Sequence, residues 1–234
     1  GPERDPLAWQ AGHLAGGATL IARAAAGPFF DDLAVGEVIG DAPAMTLTEG
    51  HAALHQAILG DRLRLSLDAP LARRVLGRDA VPAHPGLVCD VAIGQSTLFT
   101  QRVRANLFYR GLAFHRLVVL GDTLHTTTSV VALRENSRRA GRPPTGLAVL
   151  RIRTVDQEYR PVLDFLRCAM LPLRDADRET GHDADVTAVA LEEPPPAPAG
   201  ALEGVPKRSN AGNGWVRTGA FSVQAACTQR ESAE

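Results

Sequence analysis

The chain has 234 residues, of which 45% are hydrophobic and 22% are charged. This length and composition allow one substantial hydrophobic core and exclude a fibrous or wholly disordered protein. The formal net charge is −1, so the chain as a whole does not attract nucleic acid or an anionic membrane, and we expect neither as a partner.

The cysteine content and the hydropathy pattern bear on the cellular compartment. The three cysteines, Cys89, Cys168 and Cys227, are widely spaced and odd in number, which favours neither a disulfide framework nor a CxxC metal site. No apolar run reaches the roughly 18 to 20 residues that a membrane-spanning helix needs. The first residues also lack the basic and apolar blocks of a signal peptide. We therefore expect a cytoplasmic protein.

The first predicted elements are a helix and a strand. Asp5 and Pro6 are a typical helix start, and apolar residues continue at helical spacing until Gly27. This pattern predicts an N-terminal helical extension over residues 1–27. A strand is predicted over residues 38–47, although Pro43 would confine it to an edge or split it.

Three further helices are predicted before the main sheet. Thr48 is a suitable N-cap for a helix that Gly60 closes, and a short helix is predicted over residues 70–76. Residues 87–99 are apolar on nearly all sides, and a helix of that composition must be buried.

After this helix the hydrophobic residues recur with a period of two, which predicts strands. The alternation begins at residue 103, and three later strands are predicted over residues 123–133, 146–155 and 162–171. One buried helix followed by four antiparallel strands is an α+β pattern in which the sheet wraps around the helix. Charged, proline-rich and glycine-containing stretches then predict a low-complexity, poorly ordered tail over residues 174–234.

Several stretches in this order resemble the MaoC-like dehydratase family of the hotdog superfamily, over residues 28–173. The stretches that carry the resemblance are Phe29-Phe30-Asp31-Asp32-Leu33 with Val35-Gly36, Thr46-Leu47-Thr48-Glu49-Gly50, His84-Pro85-Gly86-Leu87-Val88, Gly121-Asp122-Thr123-Leu124 and Val162-Leu163-Asp164-Phe165. Within the family, the chain is similar to the N-terminal half of mesaconyl-CoA hydratase (β-methylmalyl-CoA dehydratase) and to mycobacterial double-hotdog proteins.

The resemblance implies a hotdog fold, in which an antiparallel sheet encloses a long central helix and acyl thioesters bind where two hotdogs meet. It also implies hydration or dehydration of an enoyl-CoA without a metal or redox cofactor. Family hydratases carry Gly-Asp-x-Asn-Pro-x-His, whose carboxylate and imidazole provide the acid–base chemistry that water addition needs. The corresponding residues 60–66 keep the carboxylate as Asp61, but Ser66 replaces the histidine.

The missing histidine leaves alternatives open. In double hotdogs the two halves divide the labour, and no second buried helix with four strands is predicted after residue 173. Either the chain is truncated, or it forms a homodimer or pairs with a second hotdog. The chain is then either an enoyl-CoA hydratase or a noncatalytic acyl-CoA-binding half that needs a catalytic partner. Thioester hydrolysis is a third alternative on the same fold.

The candidate catalytic and substrate-binding residues lie around the start of the buried helix. Asp61 either faces the acyl pocket or pairs with a neighbouring arginine in a turn. His84 either replaces the acid or base lost at Ser66 or hydrogen-bonds its own loop. Gly86 and Leu87 begin the helix, where backbone N–H groups and the positive dipole end would polarise a thioester carbonyl, unless Gly86 serves only to turn the chain.

The remaining polar candidates have structural alternatives. Asp90, within the apolar helix, is expected to be buried and paired. His51 and His55 have the spacing of a metal pair, but no third ligand is evident, so a solvated helix face is expected. Arginines crowd one hairpin, where they either bind the phosphates of coenzyme A or form an exposed turn. These arginines are Arg134, Arg138, Arg139 and Arg142, of which Arg138 and Arg139 are the predicted substrate contacts.

Overall fold

The computed structural model describes residues 27–40, 42–77 and 79–191. Its helices are α1 Glu49–Leu59, α2 Arg64–Leu67, α3 Ala69–Leu76 and α4 Pro85–Gln95. Its strands are β1 Val38–Ile39, β2 Met45–Thr46, β3 Ala105–Phe114, β4 Thr123–Glu135, β5 Thr145–Val155 and β6 Pro161–Pro172. The predicted N-terminal helix and the part of the predicted tail beyond residue 191 lie outside the described residues.

The strands form an antiparallel sheet in the order β1-β4-β5-β6-β3, with β2 paired to the beginning of β4. The four long strands β3 to β6 are those that the two-residue period predicts. The strand predicted over residues 38–47 is split into β1 and β2, and Pro43, which has no N–H to donate to a ladder, lies between them.

Helix α4 is the buried helix, and it packs on the inner face of the sheet. Its apolar residues form one core cluster with residues of β4, β5 and β6; the residues of α4 are Leu87, Val88, Val91 and Ala92, and the strand residues are Leu124, Ile152, Val162, Leu163 and Phe165. The predicted helix over residues 87–99 is α-helical only as far as Gln95, and a 3-10 turn, Ser96–Phe99, completes it.

Residues 174–191 pack against the outer face of the sheet. Val186 is 2% exposed and lies in a cluster with Ala132, Val149 and Leu166, whose side chains point away from α4. The Arg110 guanidinium also donates to two carbonyl oxygens of this segment. Both faces of the central strands are apolar, so the outer face needs a cover, and residues 174–191 supply it.

Helix ends place the loops that carry the candidate site. The Thr48 hydroxyl accepts the His51 N–H at the start of α1, and Gly60, with φ +58°, ends that helix and turns the chain into Asp61. Among the described helices, none combines the length and apolar character that a bilayer crossing requires.

Candidate acid–base site at the start of the buried helix

Four titratable side chains, from α1, from the turn that follows it and from α4, lie close together at the start of α4. His55 comes from α1, Asp61 from the turn that follows it, His84 from the N-cap of α4, and Asp90 from the second turn of α4. The two predicted catalytic residues, Asp61 and His84, are therefore brought together, and two residues that were given structural roles join them.

His55 is the buried centre of this group. Its side chain is 6% exposed, its Nδ1 lies 3.9 Å from Asp61 Oδ2, and its Nε2 lies 3.4 Å from Asp90 Oδ2. Neither ring nitrogen makes a hydrogen bond within the part of the chain that the structure describes. A buried polar atom without a partner costs about 1–3 kcal/mol, so such atoms are rare in structural positions and call for an explanation.

The expectation of a solvated face for His51 and His55 is wrong for His55. Helix α1 packs against α4 through its small residue Ala52 and through His55, whereas its larger apolar residues Leu54 and Ile58 are exposed. His51 instead makes a local contact with the N-cap, where its Nδ1 is 3.2 Å from the Thr48 N–H nitrogen. The two histidines therefore do not act as a pair.

His84 caps α4 and stacks on His55. Its Nδ1 accepts the Gly86 N–H at 3.0 Å, and the two imidazole centroids are 5.2 Å apart with a 38° angle between the rings. With Nδ1 used as an acceptor, the neutral ring carries its proton on Nε2 and is a donor there. The structure thus shows the local hydrogen bond considered for His84, and this bond also fixes which nitrogen is available for chemistry.

Gly86 lies against both rings. A Cβ at this position would be 2.9 Å from His84 Nδ1 and 3.2 Å from His55 Nε2, so only glycine leaves the two imidazoles in place. Its N–H is already bonded to His84, and the Leu87 side chain is buried in the core. Any polarisation of a thioester by these two residues would therefore come from the helix end rather than from the Leu87 side chain.

The two carboxylates have opposite surroundings. The Asp61 side chain is 7% exposed and faces His55, and its Oδ1 accepts the Leu63 N–H at 3.3 Å. Among the described residues Asp61 has no arginine partner, so the pairing considered for it with a neighbouring arginine does not form. The Asp90 side chain is 62% exposed, so the expectation that it is buried is wrong: α4 leaves one side of its second turn open to solvent.

The same group contains residue types that bind metals. One ligand atom from each of His55, Asp61 and His84 lies within 4.8 Å of the others. However, Nδ1 of His84 is already occupied by Gly86, and the 3.9 Å between His55 and Asp61 exceeds the spacing of about 3.4 Å between ligands at tetrahedral zinc distances. The geometry fits acid–base chemistry better.

The arginines predicted to bind coenzyme A lie elsewhere. Five arginines surround a cavity of about 580 Å³ where β4 and β6 end and β5 begins: Arg104, Arg134, Arg138, Arg139 and Arg142. We call this cavity the arginine cleft. His84 is next to Ala83, whose N–H bonds to Val118 before β4 starts, so the two sites lie at opposite ends of β4.

Within the arginine cleft, Arg138 has a structural role. It donates to the Glu135 carboxylate at 3.0 Å and to the carbonyl oxygens of Ala176 and Arg178. Arg139 and Arg142 are exposed and make no ion pair among the described residues. The structure does not bring Arg138 or Arg139 near Asp61 and His84.

Comparison with known proteins places this architecture in a family. The chain is 34% identical over 157 residues to β-methylmalyl-CoA dehydratase of Chloroflexus aurantiacus, a match that covers 67% of this chain and 43% of the relative. It is 32% identical over 151 residues to mesaconyl-CoA hydratase of Cereibacter sphaeroides, with 64% of this chain and 43% of the relative covered. No protein-family model matches the chain.

Two solved structures have the same fold. A double-hotdog protein of Mycobacterium tuberculosis superposes with a TM-score of 0.72 at 54% identity, over 77% of this chain and 55% of that one. A MaoC-domain dehydratase of C. aurantiacus superposes with a TM-score of 0.64 at 31% identity, over 74% of this chain and 47% of that one. The chain belongs to the MaoC-like dehydratase family. The predicted α+β hotdog fold is confirmed, and this MaoC-like chain spans about half the length of these relatives.

The MaoC-like assignment allows the site to be compared with the family's catalytic motif. By the motif resemblance Ser66 corresponds to the histidine of family hydratases, and its buried Oγ has no hydrogen-bond partner among the described residues. Two imidazoles from other elements, His55 and His84, lie beside the retained Asp61 instead. The sequence contained one weak signal for His55, its i,i+3 spacing from the small residue Ala52, which allows this face of α1 to approach α4.

Proposed function

We propose that this MaoC-like chain binds an acyl-CoA thioester and catalyses the reversible addition of water to its enoyl group. The observation that carries the proposal is the proximity of the buried Asp61 side chain to two imidazoles at the start of the buried helix, with one polar atom of each group within 4.8 Å of the others. The names of the relatives support a hydratase or dehydratase that acts on a CoA thioester. Mesaconyl-CoA and crotonyl-CoA are therefore suitable first substrates.

Asp61 and His84 divide the acid–base work in this proposal. The Asp61 carboxylate removes a proton from water as the water oxygen forms a bond to the β-carbon of the enoyl group. The electron pair of the double bond moves through the α-carbon toward the thioester oxygen. The α-carbon takes a proton from a second water molecule, to which Nε2–H of His84 donates a hydrogen bond, so the ring stays neutral and hydroxide leaves to solvent. Negative charge that develops on the thioester oxygen is stabilised by the positive end of the α4 dipole.

A noncatalytic role is the second candidate function. The chain spans 43% of β-methylmalyl-CoA dehydratase and 55% of the double-hotdog structure, and it lacks the histidine at position 66. In that case the chain binds acyl-CoA and pairs with another hotdog, either a second copy or a partner, that carries the chemistry. A homodimer or a mixed pair, a cytoplasmic location and the absence of a cofactor remain predictions.

The test follows loss of the enoyl-thioester absorbance with crotonyl-CoA and mesaconyl-CoA. Asp61→Asn and His84→Gln should each lower kcat by about 10²–10⁴-fold, the range for loss of a general acid or base. Asp79→Asn is the matched control, because that carboxylate is 81% exposed and pairs with Arg73 on the surface, away from the acid–base site. The control should keep full activity.

Other outcomes separate the alternatives. Thermal stabilisation by acyl-CoA without turnover would favour the noncatalytic half, and release of free coenzyme A thiol would indicate a thioesterase. Full hydration activity in both Asp61→Asn and His84→Gln would overturn the assigned roles, and absence of both turnover and binding would overturn the proposal.

A further inference from the structure

We infer that Asp90 and His55 form a proton relay that connects the buried Asp61 to solvent. This inference rests on the proposed hydration, in which Asp61 is the base. His55 and Asp90 do not touch the reacting atoms in this scheme; they act through Asp61. Nothing in the family motif assigns a role to either position.

The three side chains form a line from solvent to the buried site. Asp90 is 62% exposed, and its Oδ2 lies 3.4 Å from Nε2 of His55; Nδ1 of the same ring lies 3.9 Å from Oδ2 of Asp61, which is 7% exposed. The carboxylates therefore face opposite nitrogens of one imidazole. A ring that accepts a proton at one nitrogen and releases another proton from the second is the usual proton shuttle of proteins.

The surroundings of His55 leave its nitrogens available for this transfer. Neither nitrogen has a hydrogen bond to any other described group. The neighbouring titratable group outside the relay is His84, whose ring stacks on His55 and whose Nδ1 is bonded to Gly86. A histidine with a purely structural role would be expected to use at least one nitrogen in a hydrogen bond, as His84 does.

Water addition creates a need for such a relay. After one turnover Asp61 holds the proton taken from the attacking water, and the second water, which protonated the α-carbon, has left as hydroxide. Asp61 is restored when its proton passes to Nδ1 of His55 while Nε2 releases a proton to Asp90 and then to bulk water. The proton that reaches bulk water neutralises this hydroxide, so the cycle neither gains nor loses protons.

The gap between Asp61 and His55 is consistent with this role. A separation of 3.9 Å is longer than a hydrogen bond, but rotation of the carboxylate or one bridging water closes it. Catalytic hydrogen bonds are often long without substrate and shorten in the complex.

The kinetic test uses Asp90→Asn, which keeps the shape of the side chain and removes its proton affinity. Because the relay acts after product forms, kcat at low buffer concentration should fall about tenfold while kcat/KM changes little. Added imidazole buffer should restore kcat, since a small acid–base pair can replace the exposed end of the relay. Asp79→Asn is the control and should show neither effect.

Two results would contradict the relay while leaving the hydratase intact. One is an Asp90→Asn enzyme with the kcat of the wild type at low buffer concentration. The other is a loss of kcat that imidazole does not restore, which would give Asp90 a structural role. If the wild-type chain hydrates no enoyl-CoA, the proposed function fails first, and the relay is judged by a measurement that needs no turnover.

That measurement is the exchange of the His55 ring protons with water, followed by NMR on chain labelled with ¹⁵N-histidine. The relay predicts exchange about tenfold slower in Asp90→Asn than in the wild type, because the route from Nε2 to solvent is lost. Equal exchange rates in the two proteins would overturn the inference whether or not the chain is an enzyme. The His51 ring, which has its own contact at the N-cap of α1, is the internal control.

Discussion

The acid–base site and the arginine cleft lie at opposite ends of β4 and differ in the burial and hydrogen bonding of their titratable side chains. In the first, a buried imidazole that has no hydrogen bond to a described residue lies between two carboxylates contributed by separate elements. In the second, Arg104 and the arginines of one hairpin surround an open cavity; Arg138 is bonded within the protein, and Arg139 and Arg142 are exposed. The cleft has more charged side chains, but the acid–base site has the buried imidazole nitrogens that lack hydrogen-bond partners among the described residues. Such nitrogens can bind a substrate or accept and release a proton.

The largest effect expected from a single methyl group is at Gly86. Gly86→Ala places a Cβ 2.9 Å from His84 Nδ1, so the ring must rotate away and the stack on His55 is lost. We expect kcat for enoyl-CoA hydration to fall at least about tenfold, because Nε2–H of His84 no longer points into the proposed active site.

Gly94→Ala is the matched control in the same helix. A Cβ there meets nothing within 4 Å, and alanine is favoured over glycine in a helix by about 1 kcal/mol, so this variant should melt at a higher temperature with unchanged kcat. If Gly86→Ala kept the wild-type kcat, the stacked imidazoles would have no part in the reaction, and the contrast with the arginine cleft would lose its functional meaning.

Arg138 provides a test of the arginine cleft as structure. Arg138→Ala removes the bonds to Glu135, Ala176 and Arg178, so the segment 174–182 should open more easily, by about 1 kcal/mol. Hydrogen exchange of that segment measures the opening. Arg142→Ala, which removes an exposed guanidinium from the same hairpin, should leave the exchange unchanged. A faster exchange in both variants would show that the total charge of the hairpin, rather than the bonds of Arg138, holds the segment.

How far the sequence predicts this molecule depends on the kind of signal. The four strands β3 to β6 and the buried helix α4 follow from local periodicity, and Asp61, His84 and Gly86 from their places in a motif. His55 did not follow, because α1 buries a histidine and exposes Leu54 and Ile58, the reverse of the usual pattern. The close approach of α1 to α4 determines which side chains of α1 are buried. The sequence of α1 alone does not contain this information.

The segment 174–191 is a second case in which tertiary contacts decide. Its composition is charged and turn-rich, and four small or branched residues among those described pack against the sheet: Ala184, Val186, Val189 and Leu191. Whether such residues dock depends on the apolar outer face of β4, β5 and β6, which lies elsewhere in the sequence. The local sequence pattern therefore predicts a poorly ordered tail, whereas residues 174–191 pack on the outer face of the sheet.

Acidification should release this segment at its contact with Glu135. Hydrogen bonds from the Thr180 backbone, assisted by the Thr180 hydroxyl and Arg138, lower the pKa of Glu135 from its ordinary value of 4.5. A carboxyl group with a lowered pKa contributes stability that is present above the ordinary value and lost as the pH falls through the lowered one. The protection of residues 174–182 from hydrogen exchange, relative to the intrinsic exchange rate at each pH, should therefore fall below about pH 4.5 in the wild type.

Glu135→Gln is the control for this pH dependence. The amide oxygen keeps an acceptor for Thr180 but does not titrate, so exchange in the variant should change less between pH 6 and pH 4. An identical pH profile in the two proteins would assign the acid response to other carboxylates of the segment.

The smallest effect is expected at Arg139, and it decides whether the two ends of β4 belong to one ligand. Ten residues separate Leu124 from Arg134, about 33 Å along the strand at 3.3 Å per residue, so coenzyme A would have to extend along β4 to touch both sites of one chain. If Arg139 binds its phosphates, Arg139→Ala should raise KM for an acyl-CoA about two- to fivefold at low ionic strength, with the difference disappearing at high salt. KM for the matching acyl-pantetheine, which has no phosphates, should stay the same. Unchanged KM for both thioesters would separate the cleft from the substrate and leave it as the hairpin that anchors residues 174–182.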